Sequence, residues 1–154
     1  MEGNYLKDVE IECSRQGLEI SYVKALILKE SSGNPWATRY EPGWRYLEQP
    51  PYWARHLGQT EETEIIQQKC SFGLMQVMGG TARHLGFAGL LSSLYVPSTN
   101  VHFGCRLLAQ KLRKYGDYPS ALAAYNAGTA VRIGNRFTNQ DYVDGVLRLR
   151  ANLK

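Results

Sequence analysis

The sequence predicts an all-α or nearly all-α fold, on three observations. Apolar residues recur at helical spacing in several segments, cap and breaker residues mark where those segments end, and alternating strand patterns are nearly absent. The first helix is expected from Asp8 to Gln16, with Gly17 as its C-cap. A second runs from Ile20 to Lys29 on the apolar positions Ile20, Val23, Leu26 and Ile27, and stops at Ser31-Ser32-Gly33-Asn34-Pro35. Residues 36–70 are less regular and aromatic-rich, with room for short irregular or β structure. Within them only Thr60 to Gln68 reads as helix, with Thr60 as N-cap. Gly73 to Met78 reads as a short apolar element, and Thr81 as the cap of a helix ending at Gly86. The clearest helix spans Ser98 to Tyr115: Val101, Cys105, Leu108, Leu112 and Tyr115 lie three or four apart and form one buried stripe. Pro119 and Ser120 open the next helix, through to Gly128, and Asn139 caps a last one from Gln140 to Asn152.

At 154 residues, 44% hydrophobic and 21% charged, the chain has the size and composition of one ordinary globular domain. Eighteen Lys and Arg against fourteen acids leave a net charge of +4. The basic residues are dispersed: Arg106, Lys111, Arg113 and Lys114 on one helix, Arg148 and Arg150 near the end. They read as solvated helix faces and form no clustered nucleic-acid stripe. Ten Glu against four Asp argue against Asp-rich calcium loops. Cys13, Cys70 and Cys105 are widely spaced, and His56, His84 and His102 do not fall at ligand spacing with them. Neither a zinc site nor any cofactor is called for, and buried thiols are the preferred reading. No stretch approaches transmembrane length, and Met1 to Asp8 lacks a basic segment followed by an apolar run, so no signal peptide is expected. A monomer without stable membrane insertion is the expectation.

Glu30 draws the chemistry. The apolar face of the second helix, followed from Val23 through Ile27, lands on Glu30, because residues three and four apart share a side. A carboxyl there faces inward, where desolvation and the negative helix end both raise its pKa. That suits a general acid, although an exposed C-terminal helix residue is the alternative on position alone.

Four further motifs follow Glu30-Ser31 in order: Gly73-Leu74-Met75-Gln76-Val77 introduced by Ser71, Pro97-Ser98-Thr99-Asn100-Val101 with Gly104, Ala124-Tyr125-Asn126-Ala127-Gly128, and Tyr142-Val143. The set resembles the lytic transglycosylase family of soluble-transglycosylase type, relatives of goose-type lysozyme. The resemblance covers residues 18–147 and implies a single lysozyme-like domain over 1–154, acting on the glycan strands of bacterial peptidoglycan. It makes Glu30 the general acid and then base, with Tyr125 beside it. Ser31, Tyr40, Glu41, Ser71, Met75, Gln76 and Asn126 fall on the substrate side. Met75 reads equally as core filler, and Ser31 equally as a residue bonding its own helix. Together with the N-terminal segment, the resemblance suggests a phage-type enzyme, released at lysis or carried in a particle, or else a trimmed chain.

One departure stands out. The segment from Ser32 to Phe72 is longer than the spacing in short family members, and residues 36–70 read as an insertion. Its aromatics fit either a glycan-stacking wall or a satellite hydrophobic cluster. Glu41 or Glu48 within it offers a second carboxylate able to place water, which leaves a hydrolytic lysozyme as the runner-up. A non-catalytic glycan-binding module is a third reading, disfavoured by the presence of Glu30, Gln76 and Tyr125.

Overall fold

A computed structural model of the chain describes residues 5–153. Residues 1–4, where the segment read for an export signal begins, and residue 154 lie outside the described residues. The described part is mostly α-helical. α1 (Leu6–Gln16) ends in Gly17 at φ 68°, and α2 (Ile20–Ser31) ends in Ser32 at φ 54°. Two residues longer than expected, α2 carries Glu30 and Ser31 on its last turn. α6 (Pro97–Tyr115) is the central helix and packs against both α1 and α7 (Tyr118–Ala127). Its stripe is as expected: Val101, Cys105 and Leu108 are buried, and Leu112 and Tyr115 half-buried at its end. α8 (Gln140–Ala151) lies along α2. One core joins Val9, Leu26, Ile27, Leu74, Met75, Leu108 and Leu122, among others. Cys13 and Cys105 are buried in it, Cys70 is half-buried, and all three are free thiols.

The insertion holds structure that propensity hid. α3 (Pro50–Leu57) was not expected, since only Thr60 to Gln68 of this segment reads as helix, and it opens on a Pro-Pro pair. Here both prolines occupy the first helical positions, where no N–H is needed. α4 (Glu61–Gln68) starts on Thr60, whose hydroxyl accepts from the Thr63 N–H at 3.2 Å. A small antiparallel sheet joins β1 (Thr38–Tyr40), β2 (Cys70–Phe72) and β3 (Val77–Met78) in that order, with Arg39 opposite Ser71. These strands are too short to show alternation. Thr81 caps nothing: α5 (Gly79–His84) begins after Met78, placing Thr81 inside the helix. Leu91–Tyr95 form a 3₁₀ helix. A second hairpin, β4 (Arg132–Ile133) with β5 (Arg136–Phe137), precedes α8. Asn139 stands before α8 but does not cap it, because its amide donates instead to Ala123 O and Asn126 Oδ1, at 3.0 and 2.9 Å.

The insertion is clamped to α5 by a fully buried pair. Arg83 Nε donates to Glu64 Oε1 at 2.8 Å and Nη2 to Oε2 at 3.0 Å. Nη1 donates to the Phe87 and Gly89 carbonyls, each at 2.8 Å, and the guanidinium lies 4.4 Å from the Trp53 ring centroid. Glu64 also accepts from Gln68, which exchanges two hydrogen bonds with the backbone of Glu48. The clamp therefore fixes residue 48, one end of the segment that walls the site described next.

Candidate active site

A cleft of about 1200 Å³ runs between the insertion and the α6–α7 face. Gly43 to Glu48 form one wall, Leu107, Gln110, Lys111 and Lys114 of α6 line the other side, and Glu30 opens into it. Of the residues singled out from sequence, Glu30, Glu41, Ser71, Gln76, Tyr125 and Asn126 line this cleft; Ser31, Tyr40 and Met75 do not. The pleat explains Tyr40: Arg39 faces the cleft, so its neighbour on β1 points to the other side, where it is exposed. Met75 is fully buried, its side chain filling the space where a Cβ on Gly104 would lie 2.4 Å from its sulfur. Met75 therefore sits in the core and not on the cleft wall.

The Gly-Leu-Met-Gln turn is held by a buried polar lock. Asn100, the buried asparagine at the start of α6, donates to Phe72 O and Leu94 O at 2.7 and 2.9 Å and accepts from Met75 N–H at 2.8 Å. Gly73, at φ 70°, allows that approach, since a Cβ there would meet Asn100 Nδ2 at 2.6 Å. Gln76 also sits at positive φ, 48°. Its amide donates to Ala37 O and Gly73 O at 3.0 and 2.9 Å and accepts from Ser71 Oγ at 2.7 Å. Thus Gln76 lines the cleft with an amide already committed to the turn. Ser31 Oγ donates to Leu74 O at 2.8 Å, tying the end of α2 to the same turn. Asn126 is exposed; its Oδ1 accepts from Asn139, and its own amide makes no hydrogen bond among the described residues.

Glu30 is half-buried on the last turn of α2. Burial raises its pKa above the ordinary carboxyl range, and this outweighs the opposing pulls of the Tyr142 hydroxyl, Arg39 and Lys29. The Tyr142 O–H donates to Glu30 Oε1. Tyr142 comes from α8, and its ring also lies 5.7 Å from Lys29 Nζ. Tyr125, expected to orient the carboxyl, donates instead to Met75 O at 2.7 Å. Burial and then the charge of Glu30 hold its hydroxyl well above the usual tyrosine range, so it stays neutral near the acid. The residue touching Glu30 is thus Tyr142, a contact the sequence reading missed. The closing Tyr-Val motif was the signal for it.

The other acids of the cleft differ from Glu30. Glu41 pairs with Arg39 at 2.5 Å. Glu48 lies at the surface, with its pKa lowered by hydrogen bonds from Gln49 and His84. The cleft therefore offers one carboxyl whose pKa burial raises and two acids paired with basic neighbours, Glu41 with Arg39 and Glu48 with His84, an arrangement that permits acid catalysis at Glu30.

The sequence family described as "Transglycosylase SLT domain" matches residues 9–142. A protein of Enterobacteria phage PRD1 described as "Transglycosylase" is 42% identical over 59 residues, which cover 38% of this chain and 21% of that protein. The match thus spans about a fifth of the phage protein's length.

Proposed function

The chain belongs to the transglycosylase SLT domain family, and from that premise we propose that it is a peptidoglycan lytic transglycosylase with Glu30 as its acid and base. Glu30 gives its proton to the oxygen of the β-1,4 bond between N-acetylmuramic acid and N-acetylglucosamine, and the C1–O bond breaks. The substrate's own 2-acetamido group stabilises the positive C1 centre, as in substrate-assisted glycosidases. The carboxylate then takes the proton of the muramic C6 hydroxyl, whose oxygen closes a 1,6-anhydro ring on C1. No water is consumed, and one carboxyl suffices.

The observation that carries this reading is a single carboxyl in the cleft whose pKa is raised by burial and whose orientation is fixed by the Tyr142 hydroxyl. Tyr142 orients Glu30 and offsets its negative charge when the proton has left. Tyr125, with Ser31, Gln76 and Asn100, keeps the turn around Met75 in place beside it. Trp44 and Tyr46 supply aromatic surface on the cleft wall, and Asn126 supplies a free amide for N-acetyl or hydroxyl groups. We read the chain as one catalytic domain that works as a monomer on the cell wall, of the phage type. A second reading, hydrolysis with water placed by Glu41, draws on Glu41 lining the same cleft; its pairing with Arg39 speaks against it.

The test is Glu30→Gln, which keeps size and hydrogen bonding but carries no transferable proton. Turbidity loss of purified sacculi should fall by roughly 10²- to 10⁴-fold with an unchanged circular dichroism spectrum. Near-normal lysis would remove Glu30 from the mechanism.

A further inference from the structure

Lys111 and Lys114 do not form the plain solvated helix face that sequence suggests. With Leu107 and Gln110 they occupy positions i, i+3, i+4 and i+7 of α6, a single face that lines the cleft opposite the insertion wall. Lys111 Nζ donates to Gly128 O at 2.7 Å, which pins it where α7 ends, three residues past Tyr125. Lys114 Nζ lies 5.2 Å from the Tyr115 ring centroid. Neither ammonium has a carboxylate partner among the described residues, whereas the acids facing them across the cleft, Glu41 and Glu48, are paired with Arg39 and His84. Burial lowers the pKa of Lys111; the neighbouring Tyr115 opposes the shift and Lys114 adds to it. The remaining basic residues of α6, Arg106 and Arg113, are not among the residues lining the cleft.

Two unpaired cations on the wall of a substrate cleft select for an anion on the substrate. The sugars of the proposed glycan are neutral in themselves. The negative charge of peptide-bearing strands sits on carboxylates of the stem, carried by the lactyl arm of muramic acid. We propose that Lys111 and Lys114 form a subsite for those stem carboxylates, making the protein selective for glycan that carries charged peptides. This rests on the glycan-cleaving function argued above.

The probe is intact sacculi compared with the same sacculi after carbodiimide-coupled amidation, which turns stem carboxylates into neutral amides and leaves the sugars unchanged. The measured quantity is the ratio of kcat/KM on native to amidated material. The wild type should favour native sacculi by about tenfold, as expected when charge-assisted hydrogen bonds are lost, and the preference should shrink at high salt. Lys114→Gln, at an exposed position beside Tyr115, should bring the ratio close to one through KM, and Lys114→Arg should keep it. Lys111→Gln should act the same way, with a melting curve to separate any loss of its bond to Gly128. A wild-type ratio near one, or a ratio that Lys114→Gln leaves unchanged, overturns the subsite while lysis itself still stands. Failure of the wild type to cleave either material overturns the glycan-cleaving function and the subsite with it.

Discussion

Arg83→Met should be the most damaging single change outside the cleft. The guanidinium and the Glu64 carboxylate are both fully buried, and Arg83 also serves the carbonyls of Phe87 and Gly89. Removing it leaves a buried carboxylate without its counter-charge, a loss of about 3–5 kcal/mol. At this chain length each kcal/mol moves Tm by about 2–4 °C, so the melt should fall by roughly 6–20 °C. Adding Glu64→Leu should recover part of the loss, since two apolar residues no longer bury a lone charge. Recovery stays incomplete because both carbonyls still lack a donor, at about 1–3 kcal/mol each. Thermal unfolding followed by circular dichroism for the wild type, the single and the double variant gives the full comparison. A single variant melting within about 2 °C of wild type would refute the clamp.

Three further outcomes follow from the site. Tyr142→Phe removes the donor to Glu30 and should lower lysis by on the order of tenfold to a hundredfold, since a hydrogen bond to a charged group is worth about 1.5–3 kcal/mol; the alkaline limb of its pH–rate profile should also move upward, because that bond lowers the pKa of Glu30. An unchanged profile would detach Tyr142 from the acid. Because the folded-state pKa of Glu30 is raised, the folded protein holds that proton more tightly than the unfolded chain. Stability from this group is therefore lost as pH rises from the unfolded value through the folded one. Relative to wild type, Glu30→Gln should gain Tm between pH 4 and pH 8, and a constant difference would contradict the burial of the charge. Trp44→Ala, on the cleft wall with its indole N–H on Tyr46 O, should cost about two- to tenfold in kcat/KM, with a smaller loss of Tm than Arg83→Met; a melt that falls as far as that of Arg83→Met would mark the insertion as satellite core.

Much of the helical frame was legible because it depends on local pattern. The α6 stripe, the Gly17 and Thr60 caps, and the inward turn of Glu30 each follow from spacing within one or two helical turns. What escaped depends on pairing across the chain. Tyr142 reaches Glu30 over 112 residues, and beyond the Tyr-Val motif nothing in α8 itself marks that tyrosine as the partner of the acid. The Glu64–Arg83 pair looks like two surface charges until the fold buries both. The structure gathers most of the motif residues around one turn and one cleft, with contacts that divide in an unexpected way. Ser31, Asn100 and Gln76 spend their hydrogen bonds holding the turn around Met75, while Glu30 opens into the cleft with Tyr142 bonded to it. Lys111 and Lys114 share a helix with Arg106 and Arg113, and only the position of the cleft separates the two pairs.

The central claim is that Glu30 works alone and without water, and the products record it directly. Mass spectrometry of fragments released from purified sacculi by the wild-type protein should find 1,6-anhydro-muramic ends, lighter by one water than reducing ends. Glu41→Gln should release the same kind of fragment. Reducing ends from the wild type, lost together with turnover in Glu41→Gln, would contradict the account and make the protein a hydrolase with two working carboxylates.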